Sequence, residues 1–142
     1  MKNTFLILFF LLFVSKTFSQ ESFSPKKDNN TGFIIDGIIS DGEWKNAIEV
    51  DLDYEVNPGN NISPKEKTKV FIVYSDTHLY IGFKAYANPK EVRASIRSRD
   101  DFGMISDDFV LIAFDTYGDS RNNYLLLANA FGSQLDARAV NA

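Results

Sequence analysis

The chain has no cysteine and only one histidine and one tryptophan in 142 residues. Without cysteine there is no disulfide to staple the fold and no thiol nucleophile. His78 has no second imidazole with which to share a zinc ion, and no serine sits in a Gly-x-Ser-x-Gly elbow. Zinc sites and hydrolysis of the serine or cysteine type therefore have no support in the sequence. His78 follows Asp76 and Thr77 in a turn-like stretch, where it reads as a solvent-exposed turn residue. Basic charge is also scarce, since 15 Lys and Arg face 19 Asp and Glu for a net charge of -4. Phosphate-backbone binding draws its affinity from Lys and Arg, which argues against nucleic acid as a partner.

What the chain does have begins with its first nineteen residues. They contain no acid, open with Lys2, run apolar from Phe5 to Val14 and turn polar at Ser15 and Lys16. That is the layout of a secretory signal peptide over 1–19. The apolar run is too short to cross a bilayer, for which about 20 residues are needed. Thr17 and Ser19 place small side chains before a cut at Gln20. Cleavage removes Lys2 and Lys16 and leaves an acidic exported chain, extracellular, periplasmic or associated with an outer membrane. Roughly 120 residues without disulfides must draw their stability from a core burying about two thirds of the unfolded surface.

Residues 20–32 are mostly Ser, Pro, Lys, Asn and Asp and read as a flexible leader. The domain proper starts at Phe33 and runs to 142. Phe33 to Ile38 is a short β-rich run, and Ser40 and Glu43 have the spacing of a capping box, which predicts a short helix from Asp41 to near Glu49 with Trp44, Ala47 and Ile48 on one face. Residues 55–67 form a polar loop. Thr68–Tyr74 and Leu79–Ala87 are strand-like around the turn 75–78, and Phe109–Phe114 and Tyr124–Phe131 form a second hairpin around 115–121. Between the hairpins, 88–107 is charged and without period, and Gln134 to Val140 looks like the start of another strand. The pattern predicts an all-β antiparallel β-sandwich with one short helix near the start. The domain reads as incomplete, the front piece of a longer polypeptide.

The non-random chemical feature is acidic. Asp100, Asp101, Asp107, Asp108, Asp115 and Asp119 fall between 100 and 119, at loop ends of predicted strands. Carboxylates so crowded either bind Ca2+, which takes six to eight oxygens, or pair with arginine. One reading places a structural Ca2+ on Asp107, Asp108 and Asp115, with Arg99 and Arg121 pairing with Asp100 and Asp119. The other is a solvated acidic loop neutralised by the same arginines. A glycosidase pair drawn from these carboxylates needs a set separation, which sequence does not measure. Sugar binding needs flat apolar faces beside hydrogen-bonding groups. Tyr54, Phe102 and Tyr117 lie in polar loops and, with Arg99, are the candidate ligand-binding residues; each ring has the alternative of folding back onto the core. Trp44, at helical spacing with Ala47 and Ile48, reads as core.

These pieces resemble a known family. Ile35-Asp36-Gly37-Ile38-Ile39-Ser40-Asp41-Gly42-Glu43-Trp44-Lys45-Asn46-Ala47 is similar to the opening signature of family 9 carbohydrate-binding modules. Val70 to Phe83, Arg99-Asp100, Asp107-Asp108, Phe114-Asp115-Thr116, Asp119 and Asn129-x-x-Gly132-x-Gln134-x-Asp136 resemble its later blocks in order. The nearest variant looks like the exported family-9-like domain at the front of Bacteroidetes-type outer-membrane β-barrel proteins. The resemblance implies a β-sandwich that binds polysaccharide or oligosaccharide, often with bound calcium and without catalysis of its own, in a larger protein of glycan breakdown that can include a hydrolase domain. Asp36, Gly37 and Trp44 are then structural. Family members that bind sugar sandwich it between two tryptophans, whereas this chain has Trp44 alone, in the signature position. The rival expectation is a docking or gating domain for a β-barrel later in the same polypeptide, with no glycan bound.

Overall fold

The structure, a computed structural model, describes residues 22–29 and 32–141. The signal peptide read over 1–19 lies outside the described residues. Seven strands follow in order: β1 (Lys26–Lys27), β2 (Ile48–Asp51), β3 (Thr68–Tyr74), β4 (Leu79–Ala85), β5 (Phe109–Phe114), β6 (Asn122–Asn129) and β7 (Gln134–Val140). They make two sheets, so the chain is all-β and sandwich-like. The one helical element among the described residues is a 3-10 turn at Phe102–Ser106.

The first sheet is organised by β3, whose run Thr68-Lys-Val-Phe-Ile-Val-Tyr74 is dense in β-branched and aromatic side chains. On one edge it pairs antiparallel with β4 over its whole length, from Thr68↔Ala85 to Tyr74↔Leu79. The turn closes through the Ser75 N–H donating to the His78 carbonyl at 2.8 Å. The other edge is shared end to end. β2 covers Lys69 to Ile72, and β1 continues in parallel at Val73 and Tyr74. Part of the leader is thus ordered, with Asp28 N–H donating to the Tyr74 carbonyl at 2.7 Å and Lys27 paired with Asp76. Main-chain pairing needs no apolar side chain, which is why composition alone reads this segment as loose.

Two expectations near the start change. The capping box does not form, because Glu43 Oε1 accepts from the Ile34 N–H and so ties the loop back across nine residues. Only isolated turns remain, with Trp44 N–H on the Ser40 carbonyl and Ala47 N–H on the Trp44 carbonyl. The alternation Ile48-Glu49-Val50-Asp51, half-buried then exposed, is taken by β2 instead. Phe33 to Ile38 forms no ladder, since Asp36 Oδ1 accepts from the Ile38 N–H at 2.8 Å and Gly37 sits at φ +81°, an Asx turn that breaks the strand. Phe33 nevertheless stacks on Tyr80 at 4.2 Å and meets Trp44 edge-on at 5.3 Å. Trp44 is 8% exposed and also faces Phe71. It lies over Gly82, where an added Cβ would come within 3.1 Å of the indole.

The second sheet is the antiparallel meander β5-β6-β7. Met104, Leu127 and Leu135 form its buried cluster, with Leu125 and Ala137 packed around it. The 3-10 turn therefore acts as the lid of one sheet face. The segment 88–101 leading into it is irregular, as its lack of period suggests.

Candidate functional site

A polar node joins the irregular segment to the second sheet. Asp107, just before β5, receives Arg97 Nε at 3.0 Å, Arg97 Nη2 at 3.1 Å, Asn129 Nδ2 at 2.9 Å and the Ser95 N–H at 3.2 Å. Its side chain is 5% exposed. Arg97 first, then Asn129, holds its carboxyl down at about 2. Asn129 also donates to the Ser95 carbonyl and accepts from the Phe131 and Ser133 N–H groups, so it closes the β6–β7 turn as well. Gly132 supplies the left-handed residue there, at φ +77°. Alongside, Asp100 N–H donates to the Gln134 carbonyl and Asp100 Oδ1 accepts from the Asp136 N–H. The free edge of β7 is thereby capped at this end.

The structure does not bring Asp107, Asp108 and Asp115 together. Asp107 and Asp108 follow one another in extended chain, and Asp108 is held by the Arg93 N–H at 2.8 Å and by Arg93 Nη2 at 3.3 Å. Asp115 lies at the far end of β5 and accepts from the Tyr117, Asp119 and Ser120 N–H groups of its own turn. Among the described residues no group of three His, Cys, Asp or Glu is placed to hold a metal ion. The arginines are also partnered differently from expectation. Arg99 engages Asp136 and Gln134, with Asp100 only at 3.8 Å, and Asp119 is bound by the Arg121 N–H, not by its guanidinium.

The four candidate binding residues are all exposed. Tyr54 is 72% exposed, Phe102 67% and Tyr117 63%, and the Arg99 side chain is 62% exposed. Two of the four share a face. Cross-strand partners point to the same side of a sheet, so Gln134, Asp136 and Arg138 of β7 lie with Ala128, Leu126 and Tyr124 of β6 and with Val110, Ile112 and Phe114 of β5. Arg99 sits over Gln134 and Asp136 at one end. Tyr117 lies in the β5–β6 turn at the other, where Tyr124 pushes its phenol up in pKa and Arg138 pulls it down. The face runs about 14 Å from the Tyr124 rung to the Ala128 rung. Phe102 begins the 3-10 turn, and Tyr54 belongs to the loop that leaves β2, with no ring contact or hydrogen bond to the other three among the described residues.

Sequence reasoning did not assign Tyr124, Leu126, Gln134, Asp136 or Arg138 to this face. A signal was present in β7, because Gln134-Leu-Asp-Ala-Arg-Ala-Val140 alternates polar and apolar. His78 is in the β3–β4 turn as expected, with Nδ1 at 2.7 Å from Thr77 Oγ1. A separate open cleft of about 410 Å³ is lined by Lys65, Glu66, Glu91, Arg93 and Asp108 with Ala87 and Val92. Its charges are mutually paired, Lys65 lying 3.6 Å from both Glu66 and Glu91. No family model, no curated protein and no solved structure matches the chain.

Proposed function

We propose that the chain is an exported, non-catalytic carbohydrate-binding module, part of a larger protein of glycan breakdown, and that it binds oligosaccharide or polysaccharide on the β5-β6-β7 face. The observation that carries this reading is the exposed row Tyr117, Tyr124 and Leu126 beside Arg99, Gln134, Asp136 and Arg138. Sugar C–H groups stack on such rings and apolar side chains while hydroxyls meet guanidinium, amide and carboxylate groups. The sheet holds the row in register, so little ordering is required when a ligand arrives. Calcium stays outside this reading, because Asp107 and Asp108 already engage Arg97 and Arg93.

Affinity electrophoresis through gels containing a panel of polysaccharides tests it. Retardation by at least one polysaccharide is expected, and Tyr117→Ala is expected to weaken it by about fivefold to tenfold, whereas Tyr54→Ala leaves it intact. No retardation in any gel, or equal loss from both substitutions, would overturn the assignment. The docking reading is favoured by a different observation. Ile34, Ile35 and Ile38 are 67%, 82% and 64% exposed in one loop, and Ile96 is 86% exposed, a pattern that fits contact with a protein or barrel partner.

A further inference from the structure

The turn end of the candidate face holds the two arginines that make no ion pair among the described residues. Arg93 is paired with Asp108, Arg97 with Asp107 and Asp101, and Arg99 with Asp136 and Asp100. Arg121 and Arg138 make no ion pair among the described residues. Both belong to the end of the sheet where β5 turns into β6. The acids of that turn, Asp115 and Asp119, are exposed but engaged within it. Asp115 accepts three backbone N–H groups, and Asp119 accepts the Arg121 and Asn122 N–H groups and Asn122 Nδ2 at 2.7 Å. Three of the roughly four acceptor sites on each carboxylate are thus used within the turn. The Arg138 guanidinium, with five N–H donors in a fixed fork, stands on the same rung as Tyr124, and exposed Tyr117 belongs to the adjoining β5–β6 turn.

A guanidinium without an ion pair selects a ligand that carries acceptors, and its planar fork suits a carboxylate or sulfate in a bidentate pair. The neighbouring apolar surface of Leu126, 50% exposed, and the two phenol rings suit the sugar ring bearing that group. We propose that Arg138, with Tyr117 and Tyr124, forms a subsite for the acidic group of a charged sugar unit, the carboxylate of a uronic acid or the sulfate ester of a sulfated sugar. This inference rests on the carbohydrate-binding reading of the same face and narrows it to acidic glycans. The acidic balance of the chain does not oppose it, because screening confines such contacts to about 8–10 Å at physiological salt.

The experiment compares each acidic probe with its neutral counterpart, using the full chain and titration calorimetry. Oligogalacturonate is set against its methyl ester, and a sulfated galactan oligosaccharide against its desulfated form. The wild-type chain is expected to bind at least one acidic probe about tenfold more tightly than the neutral counterpart, with the preference shrinking as salt is raised. Which pair shows it separates carboxylate from sulfate. Arg138→Gln is expected to remove the preference with an unchanged melting midpoint. Equal binding of acidic and neutral forms would overturn this inference and leave the module reading standing. Binding of no probe would overturn both. A preference that survives Arg138→Gln would overturn the placement of the subsite.

Discussion

Replacing Asp107 by asparagine is expected to lower the melting midpoint by on the order of 10 °C, measured by circular dichroism. The size follows from the donor inventory around the carboxylate. Four contacts converge on it, from Arg97 Nε, Arg97 Nη2, Asn129 Nδ2 and the Ser95 N–H. All are donors. An asparagine amide has one acceptor oxygen, and its NH2 would be directed at a group that itself donates. Arg97 would keep only Asp101, at 3.6 Å. The segment 95–101 would lose its side-chain anchor to Asp107 and keep only its bonds to Asn129, Ser133, Gln134 and Asp136, which weakens the support under the Met104 lid. A midpoint within a degree or two of wild type would show that the node is incidental to folding.

The same carboxylate sets an acid limit. Its folded pKa, about 2, lies below the usual unfolded value near 3.9. A depressed acid contributes stability that is fully present above the unfolded pKa and lost as pH falls through the folded one. The contribution is therefore complete above roughly pH 4–5 and gone near pH 2. Denaturant midpoints of the wild type are expected to fall across that window, while Asp107→Asn shows a shallower fall. Parallel pH profiles for the two proteins would assign the acid limit to other carboxylates.

Legibility in the sequence followed the kind of interaction involved. β3, β4, β5 and β6 were readable because each is a run rich in β-branched or apolar residues bounded by turn chemistry, and β7 because it alternates polar and apolar. β2 was not, because Trp44, Ala47 and Ile48 also satisfy helical spacing and only pairing with β3 decides between the two periods. β1 has no side-chain signal at all, being two lysines held by main-chain bonds. The acidic cluster misled for a geometric reason. Nearness in sequence brings side chains together on a helix, but in extended chain Asp107 and Asp108 diverge, and Asp115 lies about 20 Å further along β5. At the candidate site, Arg99 and Tyr117 could be picked out singly as residues in polar loops. Their sharing one face depends on the register of β6 and β7, which pairs Tyr124 with Arg138 and Leu126 with Asp136. That register is fixed by the Asn129 turn, a tertiary feature tied to Ser95 and Asp107.

Trp44→Ala is expected to cost about 3–5 kcal/mol in urea unfolding, while Trp44→Phe is expected to cost no more than about 1 kcal/mol. The first figure reflects burial: the indole is 8% exposed, wedged between Phe33 and Phe71 and lying over Gly82. Truncation leaves a cavity that glycine at 82 gives the sheet no side chain to fill. The second figure reflects an opposing effect. Trp44 Nε1 is buried and has no hydrogen-bond acceptor among the described residues, and a buried donor left unpaired costs about 1–3 kcal/mol. Phenylalanine gives up part of the packing and removes that unpaired donor with it, so the two changes offset one another. It also keeps an aromatic edge for Phe33 and Phe71. Because Trp44 is the only tryptophan, unfolding of all three proteins has to be followed by circular dichroism instead of indole fluorescence. Equal losses from alanine and phenylalanine would mean that the indole N–H contributes to stability. An unchanged midpoint for Trp44→Ala, combined with loss of retardation in polysaccharide gels, would move Trp44 from the core to the ligand platform.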